Sequence, residues 1–342
     1  MTQVAEKAAD TPRPGQDMLA LVVRGHREHA IERVPVPELG PGEALVAVTH
    51  VAVCGTDIRL LRGTLHDAEY PVVPGHEWAG RVVAAPSRPE LVGAAVVGDG
   101  ITPCRSCARC AEGKHNLCTD LDEVGFTRAG AFAEAFTIPA ANLRVLPEGL
   151  SGPEGCLLEP LCVALHAVER APAVAGRSVG VIGGGTIGLL VGQLAAAGGA
   201  ASVVVAEPSA HRRGVAAELG LASVAAMADW DEPDLVFDAT GVAAVFPQGV
   251  EATRPGGDYV LVGYSGDESV GFAPSAVMLR EISVHGVLSG YDQIDRAIEV
   301  VVAGVVRLGP LLGPVLPLAD YRVLLDEVDA PPLRSVFATG RA

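Results

Sequence analysis

Cys104, Cys107, Cys110 and Cys118 follow the spacing C-x2-C-x2-C-x7-C and crowd into fifteen residues. Four thiolates this close are what a tetrahedral Zn²⁺ needs, each at about 2.3 Å. Disulfides are the competing use of such a cluster. Four thiolates leave a metal no open position, so a zinc bound here is a structural staple and does no chemistry. Metal chemistry in this chain has to come from a second, open site.

The chain has 342 residues, enough for two domains and a sizeable core. Hydrophobic residues make up 49% and charged ones 19%, the balance of a globular protein. A formal net charge of −16 repels phosphate backbones, which argues against nucleic acid as the partner despite the cysteine cluster. The longest apolar run, Leu189 to Ala206, is broken by Gln193 and Gly198-Gly199 and reads as helix, turn and strand, not as a membrane span. Residues 1–18 are polar, carry Pro12, Pro14 and Gly15, and read as a flexible tail with no apolar signal segment. The seven cysteines are then expected in a reducing cytoplasm, where metal binding is the favoured use.

Short apolar, β-branched runs at Leu19–Val23 and Ala44–Val53, separated by Pro35, Pro37, Gly40, Pro41 and Gly42, predict an antiparallel β region. A helical piece is expected over Ile58–Arg62 and a strand near Ala79–Ala84. The pattern changes near Leu157. Glu159–Arg170 has helical spacing, and from Ser178 apolar strands alternate with helices: Val179–Ile182, Ile187–Ala197, Ser202–Ala206, Arg212–Leu219, Leu235–Asp238, Val245–Ala252, Tyr259–Val262 and Ser283–Val287. That alternation predicts an α/β fold with a parallel sheet. A helix over Gln293–Ala303 and a strand near Arg334–Ala338 close the chain.

Strand Val179–Ile182 runs into Gly183-Gly184-Gly185-Thr186-Ile187-Gly188 and then a helix. This is G-x-G-x-x-G in the setting that binds a dinucleotide: a tight turn, a close approach for the pyrophosphate, and close helix–strand packing. The helix N-terminus attracts the phosphates. The next strand ends in Glu207, 19 residues beyond Gly188. A carboxylate there accepts hydrogen bonds from the adenosine ribose and repels a 2′-phosphate, so the expected cofactor is NAD. The expected cofactor-binding residues are Gly183, Gly185, Thr186, Ile187, Gly188, Glu207 and Arg212. Arg212 and Arg213 could instead take a 2′-phosphate, but a solvated helix start is the preferred reading of both.

Cys54, His76 and Glu159 each sit at the edge of a regular element, and each can donate a lone pair to zinc. Alone they are weak: such a cysteine is more often a small buried hydrophobe. Their surroundings are specific. Cys54-Gly55-Thr56-Asp57, Gly75-His76-Glu77, the four-cysteine lobe, Glu159-Pro160-Leu161 and the glycine turn, in this order, closely resemble the zinc-dependent medium-chain dehydrogenase/reductase (alcohol dehydrogenase) family. The resemblance covers nearly the whole chain from Leu19. Glu-Pro-Leu in place of a third cysteine resembles the branch of sorbitol, polyol and cyclitol dehydrogenases.

The resemblance implies two zinc ions per chain. Cys54, His76 and Glu159 would hold the catalytic one and Cys104, Cys107, Cys110 and Cys118 the structural one. Glu77 would enter the coordination sphere transiently. Asp57 would orient the His76 ring. Zinc would act as Lewis acid on an alcohol, and hydride would pass to the nicotinamide. Thr56 would hand the proton on to the ribose hydroxyl. The relay residue that often follows as histidine is Arg59 here, which cannot accept a proton; the relay then ends on water or on His66. Ala94-Ala95 replaces the Asp-Arg usual in relatives. Cys156 and Cys162 match no ligand position and read as core.

The implied architecture is a GroES-like β-rich catalytic domain, 19–159 and 291–342, and a Rossmann domain with a doubly wound parallel sheet, 160–290. The expected reaction moves hydride between a secondary alcohol of a polyol, sugar or (amino)cyclitol and NAD. A simple secondary alcohol or a 2-amino-3-hydroxy acid is the alternative substrate. Substrate-pocket candidates are His66, Tyr70, Glu77, Phe126 and Tyr291. A homodimer or homotetramer is expected, through the sheet edge near Tyr259–Gly263 and Ile282–Val287.

Overall fold

A computed structural model describes residues 12–65, 68–266, 268–325 and 333–340. The chain forms two compact units. One holds the chain up to Leu157 and most of the described chain after Gly313; the other spans Leu158–Gly313. His66 and the first eleven residues of the expected tail lie outside the described residues.

Strand Glu43–Ala52 is the spine of the first unit. Its apolar residues Ala44, Leu45, Val46, Val48 and Val51 are buried. On one side it pairs antiparallel with Glu77–Ala84; along the other it pairs with Ala135–Pro139 and with residues 336–338. A bulge between Val48 and His50 twists the strand before it reaches Cys54. Trp78 and Phe136 meet edge to face at 4.9 Å inside the core, with Phe132 and Phe337 buried in the same cluster. Burying side chains of this size contributes about 1.5–3 kcal/mol each. The hairpin Asp17–Gly25 and Glu28–Pro35 forms a separate two-stranded sheet. A second small ribbon, Ile101–Pro103 with Leu121–Glu123, frames the four-cysteine lobe.

The second unit is a six-stranded, wholly parallel sheet. Its strand order is Ala222–Val224, Ser202–Ala206, Ser178–Ile182, Leu235–Asp238, Asp258–Leu261, Ser283–Gly286. Numbered within the unit this is 3-2-1-4-5-6, the doubly wound order that opens a crevice beside the first strand. All four residues of Leu235–Asp238 are buried, as expected of a parallel strand covered on both faces.

Several strands escape sequence patterning, among them Ala95–Gly98, Ile101–Pro103, Leu121–Glu123 and Leu312–Pro317. Glu28–Pro35 is mostly half-exposed and polar, and Ala222–Val224 is only three residues long. The chain partition also departs from the expected boundary at 291. Helix Ile294–Val302 buries Ile294, Ala297 and Val300 and packs on helix Leu158–Arg170, which keeps residues 291–313 with the second unit.

Candidate metal centre and dinucleotide site

Cys54 closes the spine strand and is the N-cap of helix Gly55–Arg62. Its backbone N–H donates to Asp57 Oδ2 at 2.8 Å, so the third residue of the helix reaches back to its start. The other Asp57 oxygen lies 3.9 Å from His76 Nδ1, within ion-pair range and longer than a hydrogen bond. His76 immediately precedes strand Glu77–Ala84, and Glu77 is 1% exposed. The ligand atoms of Cys54, His76 and Glu77 all lie within 4.8 Å of one another. Thr56 Oγ1 is 3.7 Å from Cys54 Sγ.

A thiolate, an imidazole and a carboxylate are donor types that zinc takes, and three donors leave a position open. The residues present therefore fit the metal, which supplies Lewis acidity to a substrate oxygen when bound there. The carboxylate of this group is Glu77. Glu159, the expected third donor, is in the first turn of helix Leu158–Arg170, in the other unit.

Phe126 lies over the His76 ring at 5.3 Å between centroids. Tyr70 instead neighbours His26, at 6.1 Å. Tyr291 belongs to the turn before helix Ile294–Val302 in the second unit, and Arg59 to helix Gly55–Arg62. Sequence reasoning missed Glu123. Burial pushes its carboxyl above the ordinary carboxylate range, and His76 is the charge that opposes the shift. The only sequence signal for Glu123 was its place at the end of a short run flanking the cysteine lobe.

The four clustered cysteines also bring their sulfurs within 4.8 Å of one another. Cys104 Sγ is 4.0 Å from Cys110 Sγ, and Cys107 Sγ is 3.9 Å from Cys118 Sγ. Disulfide sulfurs sit about 2.05 Å apart, so these are separate thiols, and all seven cysteines are free. Backbone N–H groups of Cys104 and Asp120 donate to Cys118 Sγ at 3.3 and 3.4 Å. Backbone donation from Thr119 and Cys110 lowers the Cys107 thiol to about 5, whereas burial pushes Cys110 up to about 12. A cation entering here has to displace the Cys110 proton. Cys156 and Cys162 are buried.

In the second unit the glycine turn is built as its spacing requires. A Cβ on Gly188 would meet the Gly183 carbonyl oxygen at 1.9 Å, whereas one on Gly185 would meet nothing within 4 Å. Gly188 is thus needed by the protein, and Gly185 leaves room for a ligand at the start of helix Thr186–Ala197. Ile187 follows in the first turn, and Thr186 donates to the Leu333 carbonyl at 3.2 Å. Glu207 is 5% exposed; its two oxygens accept from Gly184 N–H and Ser209 N–H, both at 2.8 Å. Arg212 is 3.8 Å from the same carboxylate, and Arg213 donates to the Glu207 and Pro208 carbonyls. A cavity of about 750 Å³ opens here, lined by Gly183, Gly185, Glu207, Arg212 and Trp230 among others. Asp238, unmarked in the sequence reading, accepts from Thr240 and from the buried Tyr259 hydroxyl at 2.7 Å each, bracing the neighbouring strand end.

Residues 40–148 match the alcohol dehydrogenase GroES-like domain, and residues 186–303 match the zinc-binding dehydrogenase domain. A 2-dehydro-3-deoxy-L-galactonate 5-dehydrogenase of Pseudoalteromonas atlantica is 33% identical, over 85% of this chain and 89% of that protein. D-altritol 5-dehydrogenase of Agrobacterium fabrum is 32% identical over 85% and 90% of the two chains, and sorbitol dehydrogenase of Bombyx mori 29% over 90% and 94%. Among solved structures, a putative zinc-binding dehydrogenase of Sinorhizobium meliloti bound to NADP superposes with a TM-score of 0.87 at 30% identity, covering 94% of this chain and 99% of that one. The fold and the two sites thus define an oxidoreductase. The chain belongs to the zinc-binding alcohol dehydrogenase family, the medium-chain dehydrogenase/reductases. No helix among the described residues is long and apolar enough to cross a membrane.

Proposed function

We propose that this enzyme oxidises a secondary alcohol of a polyol or related sugar alcohol, with NAD as hydride acceptor. The observation that carries the proposal is the three-donor group of Cys54, His76 and Glu77, distinct from the four-thiol staple. The sorbitol and altritol dehydrogenases among its relatives support the substrate class. In this reading Cys54 and His76 hold the catalytic zinc with Glu77 or Glu159 as the carboxylate. Asp57 positions the Cys54 amide and the His76 ring, and Thr56 takes the alcohol proton onward. The four clustered cysteines hold a structural zinc.

NAD is favoured over NADP because Glu207 puts a buried carboxylate on the wall of the cavity beside the glycine turn. A 2′-phosphate there meets negative charge. The NADP-bound neighbour favours the other cofactor, which makes the ratio of the two a necessary measurement. The first unit is the catalytic domain and the second the cofactor domain. A cytosolic setting suits seven free thiols. A homo-oligomer is also part of the proposal: strand Ser283–Gly286 ends the sheet, and nearby Met278 and Leu279 are 65% and 76% exposed. Leu279→Glu then raises the monomer fraction in sedimentation velocity.

The test is a panel of pentitols, hexitols, cyclitols, simple secondary alcohols and threonine, assayed for NADH and NADPH production with zinc content measured alongside. Turnover of polyols with NAD supports the reading. Turnover confined to simple alcohols or threonine replaces the substrate class.

A further inference from the structure

We propose that the Glu123 carboxyl is a substrate-recognising group: it hydrogen-bonds a polyol hydroxyl beside the reacting carbon and turns the site away from polyols that carry a carboxylate or phosphate. The proposal rests on the polyol reading of the same centre.

The main chain at Glu123 is fixed. Glu123 pairs with Ile101 across the small ribbon. Its carbonyl accepts from the N–H groups of Phe126, Thr127 and Arg128 at 3.2, 3.1 and 3.2 Å. Its own N–H donates to Thr127 Oγ1 at 2.6 Å, and that hydroxyl donates to Asp122 at 2.8 Å. Arg128 then ties the turn down, bonding Glu43 and lying 3.4 Å from Asp122. The same turn reaches the metal centre. Val124 N–H donates to the Gly100 carbonyl at 2.8 Å, and a Cβ on Gly100 would lie 3.8 Å from His76 Cβ. Phe126, three residues on, covers the His76 ring.

The Glu123 side chain is treated differently from its backbone. It is half-buried, and among the described residues it makes no hydrogen bond. Its turn lies against His76 through Gly100 and Phe126, yet the carboxyl stands outside the three-donor group. A carboxyl held on a rigid turn, partly desolvated and unengaged, is costly unless a ligand uses it. A hydroxyl is the matching partner, since it can donate to the ionised carboxyl or accept from the protonated one. Phe126 supplies the apolar wall on which the C–H face of a sugar alcohol rests. A ligand carboxylate or phosphate brought to the same place meets the Glu123 carboxylate, and like charges there oppose binding.

The test compares the zinc-loaded parent with Glu123→Ala and Glu123→Gln on uncharged hexitols, a hexonate and a hexitol phosphate. Glu123→Ala raises KM for uncharged polyols about tenfold or more, with kcat within a few-fold. The kcat/KM ratio of hexonate to hexitol rises by a similar factor. Glu123→Gln, which keeps a hydrogen-bonding group without the charge, recovers most of the hexitol KM but not the discrimination. In parallel, hexitol protects the Cys54 thiol of the parent from alkylation more than that of Glu123→Ala. Unchanged KM values and ratios in Glu123→Ala overturn the proposal while leaving the polyol reading standing. Loss of zinc or a lowered Tm in both variants assigns Glu123 to holding the fold and also overturns it. A parent that oxidises no polyol removes the underlying reading, and the proposal with it.

Discussion

The Asp57 carboxylate sits between Cys54 and His76: one oxygen accepts the Cys54 amide at 2.8 Å, and the other is 3.9 Å from the His76 ring. Helix capping and site geometry therefore share one side chain. The carboxylate that starts helix Gly55–Arg62 also places a negative charge within ion-pair range of the imidazole.

That sharing separates two substitutions. Asp57→Asn keeps an acceptor for the Cys54 amide but loses the charge facing His76. It lowers zinc affinity or kcat/KM about 10–100-fold, with Tm nearly unchanged. Asp57→Ala loses the cap as well and costs about 1 kcal/mol more in stability. Chelator competition and thermal melts measure the two effects.

The glycine turn gives a second separation. Gly188→Ala drives a methyl into the Gly183 carbonyl and destabilises the second unit by about 1–3 kcal/mol, as overpacking does. Gly185→Ala meets no protein atom, so it folds with at most a small loss and weakens NAD binding instead. Thermal melts alongside NADH titration by fluorescence distinguish them.

Glu207 is the residue on which the proposed preference for NAD rests. Glu207→Gln removes the repulsion toward a 2′-phosphate and shifts the kcat/KM ratio of NADP to NAD upward by about tenfold, the size of one charge-assisted contact. An unchanged ratio assigns Glu207 only to holding the Gly184 and Ser209 amides.

Glu43 carries an acid-side prediction. Burial pushes its carboxyl up, but the hydrogen bond from the Gly40 backbone and the pairing with Arg128 together outweigh it and hold the carboxyl below the ordinary carboxylate range. A folded-state pKa below the unfolded one stabilises above the unfolded value and is lost as pH falls through the folded value. The parent is thus more stable than Glu43→Gln at pH 7, by about 1–3 kcal/mol. The gap closes below the ordinary carboxylate range, as melts between pH 7 and pH 3 measure.

Much of this architecture is legible in the sequence. The four-cysteine spacing, the glycine turn and Glu207 are local patterns, and the strands around them are apolar runs flanked by turns. Ser202–Ala206, Leu235–Asp238 and helix Val245–Ala252 fall where patterning puts them. What escaped depends on distant partners. Helix Ile294–Val302 announces an apolar stripe but not which unit it covers. Glu123 looks like one more surface acid until the ribbon with Ile101–Pro103 and the turn closed by Thr127 bring it to His76. Asp238 gains meaning only through Tyr259, 21 residues on.

Zinc counted by native mass spectrometry, in the parent and in Cys54→Ser, separates the open metal centre from the four-cysteine staple. The parent is expected to carry two zinc ions per chain and Cys54→Ser one, with polyol-dependent NADH production lost in the variant. One zinc in the parent, or a Cys54→Ser enzyme that turns over polyols at the parental rate, contradicts that expectation.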